Sequence, residues 1–308
     1  MNQKNNSILL ILGTIFIIFN ININYVNSTP STYKPVILMH GFALSNKCGT
    51  YQDWNHYLEF IKKYNPGQIA VSLNVDNGFK SAKTMFKQVN DVYQAINDIV
   101  QHNNAFDNGF HVIGHSQGAL TLRSITEIYG LNIDNFVSLA GVHMGIYGVG
   151  FTNNYWFGNF TDKELTNLLY TKTFQKDFSV ANWWTDIDHE RYLRDNMFLP
   201  IINQELEEKI PNYKENFINS ISGSFNAFGS PQDGIVVPWI SELFGSYDSN
   251  LNMVPMEESI VFKNDTFGLQ TLANQGKLNL TTVEGVKHAE WLSREDLFVK
   301  YVLPLISK

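Results

Sequence analysis

Phe110-His111-Val112-Ile113-Gly114-His115-Ser116-Gln117-Gly118-Ala119-Leu120 decides how the rest of the chain is read. It opens as a short apolar strand, breaks at a hard turn and continues as a helix. The turn carries G-x-S-x-G, as Gly114-His115-Ser116-Gln117-Gly118. A serine there sits at the carboxyl end of a strand and the amino end of a helix, with its hydroxyl clear of the backbone. A side chain at either glycine would block so tight a bend. The backbone N–H of Gln117 would face the point where a substrate oxygen becomes an oxyanion. Downstream, Ala119 to Tyr129 has helical spacing through Leu122 and Ile125, and it stops at Gly130, a residue suited to ending a helix. Ser116 is the candidate nucleophile. The rival reading is a chance match or an inactive hydrolase-like domain.

Working outward, Lys34-Pro35-Val36-Ile37-Leu38-Met39-His40-Gly41 is a continuous apolar run that suits a central parallel strand buried on both faces. The His40-Gly41-Phe42 that ends it is similar to the oxyanion loop of α/β-hydrolases, so the Phe42 N–H is the candidate second donor. An ordinary strand-to-loop turn is the alternative. Trp54 to Tyr64 reads as a helix and Gln68 to Leu73 as a strand. Ser81 to Val100 reads as the clearest helix, with a wide apolar stripe from Met85 to Val100. Asn135 to Gly141 is the next strand. This alternation predicts an α/β-hydrolase fold, a mostly parallel central sheet with a helical cap insertion at about 145–219. The insertion is rich in large aromatics: Tyr147, Phe151, Tyr155, Trp156, Phe157, Phe160, Phe174, Trp183 and Trp184. An apolar cap would make a groove for a long acyl chain, although such residues equally form a cap's own core.

A late strand at Ile221 to Ser230 runs into Pro231-Gln232-Asp233-Gly234. An acid on a turn after a late strand is where a triad carboxylate belongs, in the chain order Ser, Asp, His. Asp186, Asp188, Asp195, Asp248 and Asp265 compete with Asp233, but none follows a strand with a glycine turn. Leu278 to Val283 is the last strand, and His288 lies on the loop beyond it. Ser293 is placed to cap the final helix. The other histidines, at 40, 56, 102, 111, 115, 143 and 189, remain alternatives. His143 lies just past a strand end, and His115 points away from the elbow serine.

The whole chain narrows the classes. Its 308 residues can bury a full α/β core, and a formal charge of −7 without a Lys/Arg run argues against nucleic acid. Residues 1–28 read as a cleaved signal peptide, with an apolar run from Ile8 to Phe19 too short for a stable membrane span; 29–308 form a single domain. Asn27, Asn159, Asn264 and Asn279 begin N-x-S/T sequons, the last three available for glycosylation in the secretory pathway. The single cysteine, Cys48, excludes an intrachain disulfide. No spacing of His, Cys and acids suggests a metal site, and no cofactor is expected.

The chain resembles the palmitoyl-protein thioesterases, lysosomal α/β-hydrolases that cleave long-chain acyl thioesters. The resemblance runs in order through Val36 to Phe42, Gly114 to Leu120, Asn196 to Asn203, Gly229 to Gly234, Glu242-Leu243-Phe244-Gly245-Ser246-Tyr247-Asp248 and Gly285 to Trp291. Pro-Gln-Asp-Gly looks closest to the second, acyl-CoA-preferring branch. The resemblance implies Ser116 as nucleophile, Asp233 and His288 as its triad partners, and Phe42 and Gln117 as backbone oxyanion donors. It implies an acyl-CoA or S-acylated protein substrate and the lysosome as destination, while the signal and sequons alone would also fit a secreted protein. Animal members carry several disulfides, which this chain cannot form internally. A lipase or esterase acting on oxygen esters would use the same triad; a non-catalytic secreted lipid-binding protein would not need it.

Overall fold

Continuous apolar runs need cover on both faces, and two strands of the computed structural model, which describes residues 32–42, 54–148 and 160–307, have it. β1 (Val36–Met39) and β3 (Phe110–His115) are buried at every position. With β2 (Ala70–Ser72), β4 (Ile133–Leu139), β5 (Phe225–Gly229) and β8 (Leu278–Thr282) they form a six-stranded sheet in the order β2-β1-β3-β4-β5-β8. Every neighbouring pair in it is parallel. A two-stranded antiparallel hairpin, β6 (Ser246–Tyr247) with β7 (Met253–Val254), stands apart from it.

Alternation along each strand sorts the core into two layers. Ile37, Met39, Val112 and Phe136 belong to one apolar cluster, with α2 (Met85–Gln101), α3 (Gln117–Tyr129) and much of 144–202. Val36, Leu38, Ile113 and Val137 belong to the other, with Tyr57 and Ile61 of α1 (Asn55–Tyr64) and the C-terminal Phe298, Val302 and Ile306. Helix α3 is covered from Gln117 to Glu127, far more than one apolar stripe requires. Between β4 and β5 come short helices, Asp162–Leu169, Lys172–Asp177, Ser179–Trp183, His189–Asp195, Leu199–Ile202 and Tyr213–Ser220, the last of them packed on α3.

Two local expectations are corrected. The helix expected from Ser81 begins as a 3-10 turn, Gly78–Ala82, and the α-helix starts only at Met85. The Ser81 hydroxyl is spent on the Gly78 carbonyl at 2.6 Å. Ser293 does not cap the final helix. It ends the 3-10 turn His288–Leu292, and Arg294 precedes the helical residues that follow, with no side-chain cap.

Candidate active site

Ser116 is held in a conformation that L residues rarely adopt, with φ 55° and ψ −128°. Such a residue costs on the order of 1–3 kcal/mol and persists only where its surroundings fix it. Here the Ser116 N–H donates to the Leu139 carbonyl of β4 at 3.0 Å, and the Ser116 carbonyl accepts from Ala119 N–H at 3.1 Å. The motif glycines serve approach. A Cβ on Gly114 would lie 2.5 Å from Ala119 Cα, and one on Gly118 would lie 2.5 Å from the Met39 carbonyl oxygen of β1. Gly41 is as tight: its Cβ would stand 2.8 Å from Ser116 Cβ, so the loop bearing Phe42 passes directly over the serine. Gln117 is the first residue of α3, and the leading N–H groups of a helix have no carbonyl within it to bond. Phe42 packs edge-on against Trp183, with ring centroids 6.1 Å apart.

Asp233 and His288, 55 residues apart in sequence, meet at the carboxyl ends of β5 and β8. His288 Nδ1 donates to Asp233 Oδ2 at 2.7 Å. The other carboxylate oxygen accepts from the N–H groups of Ile235 at 3.0 Å and Val236 at 2.8 Å. The His288 N–H closes the contact on the Asp233 carbonyl at 3.1 Å. Asp233 is 3% exposed, and burial alone would push its carboxyl up. The charge and hydrogen bond of His288, with the two turn N–H groups, outweigh burial and hold it below the ordinary aspartate range. A carboxylate so placed fixes the imidazole tautomer with Nδ1–H inward and leaves Nε2 to act as a base.

Two side chains beside the serine have roles that sequence pattern did not reveal. His115 Nε2 donates to the His288 backbone carbonyl at 2.9 Å, and the two rings are 4.6 Å apart. Burial pushes the His115 ring down to about 3, helped by its His288 neighbour, so it is a neutral strut between elbow and histidine loop. The Gln117 amide donates to the Ser81 carbonyl at 3.0 Å and Gln88 Oε1 at 2.9 Å, and accepts from Trp183 Nε1 at 2.8 Å. It thereby ties α3, the start of α2 and the segment between β4 and β5 into one buried network.

Apart from His115, and from His40, whose ring lies 2.8 Å from the Gly41 carbonyl oxygen and 2.9 Å from that of Val75, the alternatives lie elsewhere. His143 is bonded to Ser138 Oγ at 2.7 Å and stacked on Phe244, and burial, with Arg123 nearby, drives its pKa well down. His111 is buried near Asp134, and burial lowers it to about 4. His56, His102 and His189 are exposed. Among the competing acids, Asp188 caps a helix through Arg191 N–H, Asp248 closes a turn onto Asn250 and Asn252, and Asp265 holds Thr271 and Lys214. Asn264 and Asn279 are exposed, the latter's amide donating to Asn226 Oδ1 at 2.9 Å; Asn159, Cys48 and residues 1–28 lie outside the described residues. Trp183 and Trp184 are buried as core of the β4–β5 segment. Among the described residues there is no group of three His, Cys, Asp or Glu able to hold a metal, and no helix long and apolar enough to cross a membrane. A cavity of about 450 Å³, bounded by Met144, Tyr192, Glu205, Tyr247 and Ile260, includes none of Ser116, Asp233 and His288.

Comparison with known proteins places the chain. A lipase from Bacillus licheniformis, BlEst2 in its mature form, superposes with a TM-score of 0.50 at 14% identity, covering 92% of this chain and 96% of that one; the likeness is one of fold. The lysosomal thioesterase PPT2-B of Xenopus laevis is 34% identical over 274 residues, 88% of this chain and 92% of its own. The human lysosomal thioesterase PPT2 is 32% identical over 282 residues, 90% and 89% of the two chains. The family described as palmitoyl protein thioesterase matches residues 35–288. With that match over most of its length and relatives above 30% identity spanning most of both chains, this chain belongs to the palmitoyl protein thioesterase family.

Proposed function

We propose that this protein hydrolyses long-chain fatty acyl thioesters through a covalent acyl-serine. The reading is carried by one observation, the 2.7 Å bond from His288 to a buried, ionised Asp233, at the same edge of the sheet as the strained Ser116. His288 Nε2 takes the Ser116 proton as the serine oxygen attacks the thioester carbonyl. Asp233 holds the imidazole tautomer and stabilises the imidazolium. The N–H groups of Phe42 and Gln117 receive the oxyanion, each worth about 3 kcal/mol in the transition state. The thiolate then departs and takes the proton from the His288 imidazolium, leaving the acyl group on Ser116 and His288 neutral again. A thiol of pKa about 8.5 leaves without the full protonation an alkoxide needs. Water deprotonated by His288 attacks the acyl-serine, releasing fatty acid and restoring the serine.

The relatives' names support acyl thioesters as the substrate class and the lysosome as destination. In this reading residues 1–28 are removed as a signal, 29–308 fold as one unit, and 145–219 form a cap over the acyl chain. Asn159, Asn264 and Asn279 are its glycosylation positions.

The test is hydrolysis of palmitoyl-CoA, a palmitoylated cysteine peptide and a matched oxygen ester by wild type and Ser116→Ala, at acidic and neutral pH. Turnover of the thioesters, lost in the variant together with fluorophosphonate labelling, supports the proposal. Turnover of the oxygen ester alone would make the protein an esterase, and thioester turnover surviving in Ser116→Ala would remove the serine mechanism.

A further inference from the structure

The Glu242-Leu243-Phe244-Gly245-Ser246-Tyr247-Asp248 segment has no part in the chemistry above, yet its first residue stands at the triad. Glu242 lies in the 3-10 turn Trp239–Leu243 and is 0% exposed. Its Oε2 accepts the Ser230 N–H at 2.8 Å. Room for that carboxyl is made by Gly229, where a Cβ would come within 2.9 Å of Glu242 Oε2. Ser230 is the hinge of the site. Its carbonyl accepts from Asp233 N–H at 3.1 Å, and its hydroxyl oxygen accepts from Val286 N–H at 3.3 Å on the loop that carries His288. Glu242 Oε1 is buried with no hydrogen-bond partner among the described residues, and the carboxyl faces that of Asp233.

Two carboxyls in contact away from water cannot both ionise. Asp233 has His288 and two backbone N–H groups to favour its charge, whereas Glu242 has one N–H. Burial and then the Asp233 charge push Glu242 well above the ordinary glutamate range, so it carries the proton. Asp233 is the charged group facing it, with His288 beyond.

We propose that Glu242, as a neutral acid, is a positioning residue for the triad: Oε2 accepts the Ser230 N–H, Oε1–H donates to the Asp233 carboxylate, and together they hold that carboxylate on His288. The proposal rests on the assignment of Ser116, Asp233 and His288 made above. Donation to Asp233 draws charge away from His288. Its loss strengthens the pull of Asp233 on the imidazolium and moves the acid limb of kcat/KM to higher pH.

The experiment is the pH profile of palmitoyl-CoA hydrolysis for wild type, Glu242→Gln and Glu242→Met, with the fold checked by thermal melting and Ser116→Ala run in parallel. Glutamine keeps one donor and one acceptor, so Glu242→Gln retains the wild-type acid limb and most of its turnover. Glu242→Met loses about tenfold or more in kcat, the cost of one hydrogen bond to a charged group, and its acid limb rises. If Glu242 is ionised instead, Glu242→Gln removes a negative charge beside the triad and its acid limb falls by about half a pH unit or more, which overturns the proposal. A folded Glu242→Met with wild-type turnover and profile overturns it too. Should Glu242→Met not fold, the Gln profile still decides. Turnover surviving in Ser116→Ala would instead count against the triad itself.

Discussion

Among the described residues, two pairs of an acidic and a basic side chain are buried together and meet opposite fates. Asp233 and His288 lie on loops at the ends of β5 and β8. Arg123 and Glu127 lie one turn apart in the middle of α3, both 0% exposed, with Arg123 Nε 3.3 Å from Glu127 Oε1. Burial fails to neutralise Asp233 but pushes Glu127 up to about 8 against the pull of Arg123. The difference is in the backbone. A turn has N–H groups to spare, and Asp233 collects two of them. Inside a helix every N–H is already bonded to the carbonyl four residues back, so Glu127 receives none. Both Glu127 oxygens and two Arg123 nitrogens have no hydrogen-bond partner among the described residues, although Arg123 Nη2 reaches Asn203 at 2.8 Å. A buried carboxylate kept charged therefore belongs on a loop; one on a buried helix drifts toward its neutral form.

The sharpest test separates rate from stability. Asp233→Asn is expected to lower kcat by about 10³–10⁴-fold, through the wrong His288 tautomer, while shifting the unfolding midpoint little. Arg123→Met should do the reverse, costing about 1–3 kcal/mol in denaturant unfolding by removing the Arg123 contacts of Glu127 and Asn203, with the kcat of the folded enzyme retained. Equal effects of the two changes on rate would end the comparison. The double variant Arg123→Met with Glu127→Leu is expected to recover most of that stability, since an apolar pair of similar volume costs no desolvation.

A smaller effect reads the Glu127 proton. Its folded pKa is raised, so its contribution to stability is full below the unfolded value near 4.5 and is lost as pH rises through about 8. Glu127→Gln stays neutral throughout. Its unfolding midpoint relative to wild type should therefore improve from pH 5 to pH 8, and a constant difference would show that Glu127 is charged in the fold. Smallest, Gln117→Leu should cost about 1–3 kcal/mol in thermal unfolding by removing the bonds its amide makes to Ser81 O, Gln88 Oε1 and Trp183 Nε1, while its backbone N–H stays in place.

The sheet was legible because its signals are local. The apolar runs at Val36–Met39 and Phe110–Ile113 are long enough to require two covered faces, and the turn at Gly114–Gly118 bounds a strand and a helix within eleven residues. The order of Ser116, Asp233 and His288 along the chain could likewise be read from the turns that follow β3, β5 and β8. The start of α2 could not, because Ser81 has helix-compatible neighbours yet its hydroxyl and carbonyl are claimed from Gly78, Gln88, Gln117 and Ser179.

What the sequence by itself determined is the fold class and the turns that carry Ser116, Asp233 and His288, since periodicity, turn chemistry and motif order are properties of neighbours along the chain. What only the tertiary structure decided is how those residues are held. His115 braces the His288 loop across 173 residues, Gln117 bonds Trp183 across 66, and Glu242 reaches Ser230 over a 12-residue turn that closes beside β5. These are single hydrogen bonds between buried polar groups, each favourable only once folding has removed the water that would otherwise take its place.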